Sequence, residues 1–178
     1  MPPLRRRVEI YGDFQCPDTK ATWDGWLSQF RVQHQHEASI IFHPFPLPYH
    51  KNGFDAAQAA TVVTMLGGNF SRIADALFAG QAAFQTDATI NMSQADVFKA
   101  ILAPIAAKVG IKPSDFLPRM TNSDPSNEQV RGAWKLGAAS GVSGTPAFAA
   151  NGAISDELEG WDLDKWNAWM AAGVGKTL

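Results

Sequence analysis

The sequence predicts one α/β domain in which a block of helices interrupts a β-sheet. Short β-like runs lie near both ends of the chain, at residues 8–11, 38–42 and 144–150. The intervening residues 54–140 are rich in alanine and place apolar residues at helical spacing. A sheet whose strands come before and after a helical block indicates a single domain with a helical insertion.

The first part of the chain has the pattern of a parallel β-α-β unit. The run VEIY at 8–11 predicts the first strand, and residues 18–33 predict one helix with its aromatic residues on one face. The apolar run ASIIF at 38–42 predicts a second strand in the interior of the sheet. A helix between two strands in this order indicates a right-handed crossover. The proline-rich turn at 43–50 then leaves the sheet.

The rest of the chain predicts further helices and a β-hairpin. Ser93 is expected to cap one helix, with Asp96 at the capping-box position. In the helix at 126–140, Val130, Trp134 and Leu136 are expected to face inward. The dipeptide Asn151-Gly152 predicts a two-residue hairpin turn after the strand at 144–150. The predicted helical ranges are 54–66, 69–84, 93–109, 113–120, 126–140 and 161–172.

Composition and charge exclude several classes of protein. Of 178 residues, 46% are hydrophobic and 18% are charged, which is typical of a globular domain. The net charge of −2 gives no reason to expect binding to nucleic acid or to an anionic membrane. No apolar run approaches the ~20 residues that span a bilayer. The single cysteine excludes an intramolecular disulfide and a multi-cysteine metal site, and no metal is expected.

The first residues, MPPLRRRVEI, are basic but have no apolar segment after them. No signal peptide is therefore visible, and a cytoplasmic location is favoured. A secretory compartment stays open as the alternative, if a signal was removed.

The only cysteine lies in the stretch DFQCPDT at 13–19, directly before the first predicted helix. Pro17 suits the first helical position, where a missing N–H costs nothing, so Cys16 falls at the helix N-terminus. Free N–H groups at that end favour a thiolate over a thiol. The carboxylate of Asp18 opposes a second negative charge nearby. We expect a modest net activation of the thiol.

Thr19 stands three residues after Cys16, where a two-cysteine redox site has its second thiol. Its hydroxyl would donate a hydrogen bond to the Cys16 thiolate, but it cannot attack a mixed disulfide as a thiolate does. Two interpretations stay open. Either Cys16 forms mixed disulfides that only an external thiol releases, or Thr19 is a good helix-start residue at a site without thiol chemistry.

Three features together resemble the DsbA-like family of thioredoxin-fold proteins. DFQCPDT is similar to the family motif D-F-x-C-P-x-C, as a single-cysteine CPDT variant, and GVSGTPAF at 141–148 is similar to V-x-G-T-P-x-F. The third feature is the helical insertion. The resemblance implies a thioredoxin fold, with a central mixed β-sheet flanked by helices. The implied organisation is one domain over 1–178, with fold halves at 8–50 and 141–178 and a helical insertion subdomain at 54–140.

The resemblance also implies site residues. In the family the proline of the second motif is cis and lies against the cysteine, which places Thr145 and Pro146 beside Cys16. The backbone of Thr145 would then bind an extended peptide by strand addition; an ordinary trans proline opening a strand is the alternative. Asp13 is either a buried proton acceptor behind the cysteine or a structural residue. His50 either faces the site or is a helix cap or a surface residue.

Three functions stay open at this point. The first is single-thiol oxidoreductase chemistry, with a mixed disulfide or glutathione adduct at Cys16. Its partners would be protein thiols, peptides or glutathione, with no cofactor beyond glutathione as co-substrate, and a Cys16–Cys16 disulfide would give a dimer. The second is a redox-inactive module that binds peptides beside Pro146. The third is a kappa-type glutathione transferase or isomerase, although that group generally has a serine where this chain has Cys16.

Overall fold

The computed structural model describes residues 5–172, and within them one sheet of four strands forms in the order β2-β1-β3-β4. Parallel pairing joins β1 to β2, and antiparallel pairing joins β1 to β3 and β3 to β4. The sheet is therefore mixed, as predicted. The strands are β1 (Arg6–Gly12), β2 (Ala38–Pro44), β3 (Ala147–Ala150) and β4 (Ala153–Ile154).

Helices α3 to α8 follow β2 and precede β3, so they form the predicted helical insertion. The helices are α1 (Pro17–Asp24), α2 (Trp26–Gln33), α3 (Gly53–Met65), α4 (Phe70–Ala79), α5 (Gln94–Val97), α6 (Ala103–Lys108), α7 (Pro113–Phe116), α8 (Pro125–Ala139) and α9 (Leu163–Ala171). A π-helical turn, Phe98–Leu102, joins α5 to α6. The wider turn ends two residues before Pro104, which has no N–H to donate to the regular α-helical pattern.

The single helix expected at 18–33 is wrong in one respect, because Gly25 divides it into α1 and α2. Gly25 has φ −85° and ψ −122°, which is not helical. A Cβ at this position would lie 2.6 Å from the carbonyl oxygen of Ala21. Only glycine therefore fits this break between the two helices without a shift of the backbone.

The expected interior position of the second strand is also wrong. Among the described residues, strand β2 lies at the edge of the sheet and pairs only with β1. Only Ala38 in β2 is fully buried, and the other six residues are half-buried. The apolar character of the run comes from packing on one face, where Phe42 contacts Phe14 and Trp23.

The inward orientation expected for Trp134 and Leu136 is wrong as well. Val130 is buried, but Trp134 is 39% exposed and Leu136 is 56% exposed. Gly137, not Leu136, is the residue of α8 that faces the sheet, because a Cβ there would lie 2.8 Å from the ring of Phe45. Two local predictions are confirmed. Ser93 Oγ accepts a hydrogen bond from the Asp96 N–H, and the Asn151-Gly152 turn has positive φ at both residues.

Alternation along the strands places two apolar clusters on opposite faces of the sheet. The larger cluster includes Ile10 and Phe148 and packs against most of the helices. The smaller cluster includes Tyr11, Phe45 and Leu47 and lies under α8. Among residues 5–172, no helix has the length and hydropathy needed to cross a membrane.

Candidate functional site

The two motifs that the sequence singled out meet in the fold. Cys16 is the N-cap residue of α1, and Pro17 follows at the first helical position. The Cys16 Sγ donates a hydrogen bond to the carbonyl oxygen of Thr145 at 3.3 Å, although the two residues are 129 positions apart. The Thr145–Pro146 peptide bond is cis. Cys16 is only 4% exposed, while Pro17 and Asp18 lie at the surface.

The N-terminus of α1 supplies positive partial charge at Cys16. The Cys16 side chain does not cap the helix, and its backbone carbonyl accepts the first helical bond from Lys20 N at 3.1 Å. The N–H groups of Asp18 and Thr19 belong to the first turn, which has no intrahelical acceptor for them. A helix end of this kind stabilises an anion beside it. Asp18 lies in the same turn, and the negative charge of its exposed carboxylate disfavours a thiolate at Cys16.

The expected hydrogen bond from Thr19 to Cys16 is not found among the described residues. The Thr19 side chain is buried, and its Oγ1 accepts a hydrogen bond from the Asp13 N–H at 3.4 Å. Side chains of an α-helix point back toward its N-terminus, which turns the hydroxyl toward the preceding loop. The thiol has the Thr145 carbonyl as its partner instead.

Asp13 and His50, which the sequence analysis treated separately, lie together. The Asp13 Oδ2 accepts hydrogen bonds from His50 Nδ1 at 2.7 Å and from the Leu47 N–H at 2.8 Å. The Asp13 Oδ1 accepts a third from the Gln15 N–H at 2.8 Å. The carboxylate can only accept, so His50 Nδ1–H is the donor of this bond. The carboxylate thus joins the cysteine loop to the turn after β2.

Two glutamines of the helical insertion hold the backbone of the cysteine loop. Gln81 Nε2 donates to the carbonyl oxygens of Phe14 and Cys16, both at 2.9 Å. Gln85 Nε2 donates to the carbonyl oxygen of Gln15 at 3.0 Å. The insertion therefore fixes the position of the cysteine directly.

The side chain of Gln15 completes this network from within the loop. Its Oε1 accepts from the Asn52 N–H at 2.6 Å, and its Nε2 donates to Thr86 Oγ1 at 2.9 Å. Sequence reasoning missed Gln15, Gln81 and Gln85. Gln15 is the variable position x of the D-F-x-C-P-x-C motif, and Gln81 and Gln85 have no motif around them. Only the hydrogen bonds of these amides to the loop and its neighbours mark them as part of the site.

Two further histidines, His43 and His34, lie outside this site. His43 Nε2 pairs with Glu9 at 2.9 Å, and its ring stacks on Tyr11. His34 Nε2 pairs with Asn167 at 2.8 Å. Within residues 5–172, no group of three or more His, Cys, Asp or Glu side chains is placed to hold a metal ion.

A comparison with protein-family models identifies the fold and the family. Residues 7–170 match the model of the DSBA-like thioredoxin domain. The chain belongs to the DSBA-like thioredoxin domain family. This match confirms the resemblance to the DsbA-like family that the cysteine and proline motifs indicated. No curated protein sequence matches the chain significantly.

Several solved structures have the same fold. DsbA from Chlamydia trachomatis superposes with a TM-score of 0.73 at 15% identity, covering 96% of this chain and 87% of that one. The reduced disulfide bond oxidoreductase DsbG from Mycobacterium tuberculosis superposes with a TM-score of 0.69 at 19% identity, covering 100% of this chain and 84% of that one. DsbA from Pseudomonas aeruginosa superposes with a TM-score of 0.65 at 18% identity, covering 95% of this chain and 82% of that one. These likenesses show the DsbA-like thioredoxin fold.

Proposed function

We propose that Cys16 is the nucleophile of a single-cysteine thiol–disulfide exchange, with glutathione or protein thiols as its partners. The observation that supports this most directly is the place of the sulfur, at the N-cap of α1 and 3.3 Å from the Thr145 carbonyl. The helix end favours the thiolate, which is the attacking species. Membership of the DSBA-like thioredoxin domain family agrees with this chemistry.

The exchange takes place in two steps. The Cys16 thiolate attacks one sulfur of a disulfide, a new S–S bond forms, and the other sulfur leaves as a thiolate that takes a proton from solvent. Thr19 has no thiol, so the chain cannot resolve the mixed disulfide internally. A glutathione thiolate then attacks the partner's sulfur, and Cys16 leaves as the thiolate. The reaction transfers a partner from one thiol to another without a bound cofactor.

The remaining site residues position the reacting groups in this proposal. The Thr145 carbonyl accepts a hydrogen bond from the resting thiol; once the thiol ionises, that carbonyl can pair with the backbone of an extended substrate. Asp13 and His50 hold the loop from the side of the turn, and Gln81 holds it from the insertion. Cys16 is 4% exposed between the exposed Pro17 and the half-buried Thr145, and in this proposal substrate reaches the sulfur past these two residues.

The test is the formation of a glutathione adduct with glutathione disulfide, followed by intact mass. We expect one adduct per chain, formed faster in the folded protein than in the same protein unfolded in urea, and removed by reduced glutathione. Cys16→Ser must form none. An adduct that forms no faster in the folded protein than in the unfolded one would contradict the proposal.

One observation favours a second candidate, a redox-inactive peptide-binding module. The sulfur is buried and already hydrogen-bonded to a carbonyl, as in a structural cysteine. Binding of extended peptides that persists unchanged in Cys16→Ser, together with failure to form the adduct, would support this candidate. Turnover of an electrophile with glutathione would instead support the kappa-type transferase activity.

A further inference from the structure

A groove outside the cysteine site lies between the turn after β2 and helix α8. Its volume is about 380 Å³. The floor is apolar, and among residues 5–172 no carboxylate lines the groove. The lining residues are Pro46, Leu47, Pro48, Phe54, Arg131, Trp134 and Lys135.

The groove is preformed. The Trp134 ring stacks on Phe45 with a centroid distance of 5.7 Å and an interplanar angle of 12°, while 39% of the residue stays exposed. Pro46 and Pro48 have fixed φ and no N–H group, so this wall needs no further hydrogen-bond partner. A rigid aromatic residue beside an apolar pocket is typical of a binding hot spot, because little side-chain freedom is lost on contact.

The charges at the groove identify the chemistry of an occupant. Arg131 and Lys135 lie one turn apart on α8, and neither forms an ion pair within the part of the chain that the structure describes. Two cations beside an apolar floor complement a segment that has carboxylates on either side of a large apolar side chain. The net charge of the chain is −2, so this positive rim is a local feature.

We propose that this groove binds an acidic segment of a partner protein that inserts an apolar side chain against Trp134. A second copy of the chain is the less favoured occupant, since a two-fold groove-to-groove contact would bring two pairs of cations together. Leu47 on the groove floor donates its N–H to Asp13 at 2.8 Å, so the segment would lie against the turn that holds the cysteine loop. Binding at the groove requires no chemistry at Cys16.

The test uses the full chain, reduced, and two fluorescein-labelled cysteine-free peptides, acetyl-EEWLEE-amide and acetyl-KKWLKK-amide. We expect anisotropy titrations to show at least tenfold tighter binding of the acidic peptide, weakening as salt is raised. The double variant Arg131→Glu with Lys135→Glu should lose that preference and bind the basic peptide better than the wild type does. A gain of binding cannot come from misfolding.

The matched control is Lys108→Glu with Lys112→Glu, which makes the same change in net charge at two exposed lysines outside the groove. It should leave both affinities within about twofold of wild type. Equal affinity for the two peptides, or an equal effect of the two double variants, would overturn the proposal. A dimer in sedimentation velocity that dissociates only in the Arg131/Lys135 variant would overturn it in favour of a second copy.

Discussion

Asp13 and His50 are joined by a 2.7 Å hydrogen bond between Oδ2 and Nδ1, from the loop before α1 to the turn after β2. The carboxylate also accepts the N–H groups of Gln15 and Leu47. The Asp13 side chain is fully buried, so water cannot replace these bonds. One carboxylate therefore fixes the cysteine loop, the turn and the groove floor relative to one another.

Removal of this carboxylate should cost more stability than removal of its histidine partner. Asp13→Ala leaves the N–H groups of Gln15 and Leu47 buried without an acceptor. Each such group costs roughly 1–3 kcal/mol, so we expect the free energy of unfolding to fall by about 3 kcal/mol or more. His50→Ala should cost only about 1–2 kcal/mol, and His50→Asn should restore most of it through its side-chain N–H. Urea unfolding measures these free energies.

The control for this series is Asp115→Ala, which removes an exposed carboxylate. It should change the free energy of unfolding by less than about 0.5 kcal/mol. Equal losses for Asp13→Ala and His50→Ala would show that the two backbone bonds to the carboxylate contribute nothing.

Thr19→Cys should convert the single-thiol site into one that resolves its own mixed disulfide. Threonine and cysteine are close in size, so the buried position should accept the change. A thiol three residues after Cys16 can attack the mixed disulfide, and a disulfide between positions 16 and 19 should form. Without added thiol, the glutathione adduct should disappear at least tenfold faster than in the wild type, as followed by intact mass. Thr19→Ser is the control, and an adduct as long-lived in Thr19→Cys as in Thr19→Ser would refute this expectation.

Gln81→Ala should loosen the cysteine loop. The Phe14 carbonyl loses the hydrogen bond from Gln81, and the Cys16 carbonyl loses one of its two donors but keeps Lys20 N, which should cost about 1–3 kcal/mol of stability. Since Cys16 is only 4% exposed, its alkylation by iodoacetamide requires the loop to move, and the rate should rise severalfold. Gln33→Ala, at an exposed position of α2, should change neither quantity. A loss of stability with an unchanged alkylation rate would show that Gln81 does not control access to the thiol.

Local patterns in the sequence predicted the elements well, because their causes are local. The Asn151-Gly152 turn follows from two residues that tolerate positive φ, and the approach of Cys16 to Thr145 followed from the two family motifs. The edge position of β2 could not be predicted, since an apolar run fits an edge strand that packs against helices as well as it fits a strand in the interior of the sheet. Gln81 could not be found either, because a buried amide acquires its role only from a loop distant in sequence.

Asp55 should make stability fall as the pH rises from 4 to 7. It lies in the first turn of α3, where burial raises its pKa from the ordinary value of 3.8 to about 6, while a hydrogen bond from Gln94 lowers it in part. The folded state therefore binds the proton more tightly than the unfolded state does. Its contribution to stability is complete below pH 4 and is lost as the pH rises through 6.

Asp55→Asn tests this assignment, because asparagine keeps an acceptor for Gln94 Nε2 and has no charge to bury. At about 1.4 kcal/mol for each pKa unit, the stability of the variant relative to wild type should rise by the order of 2 kcal/mol between pH 4 and pH 7. Above pH 7 the difference should be constant, since Asp55 is then ionised in both states. Asp115→Asn, at an exposed position, should show little such rise. A pH-independent difference for Asp55→Asn would mean that the carboxylate is hydrated in the folded protein, and the link between α3 and α5 would then be an ordinary surface hydrogen bond.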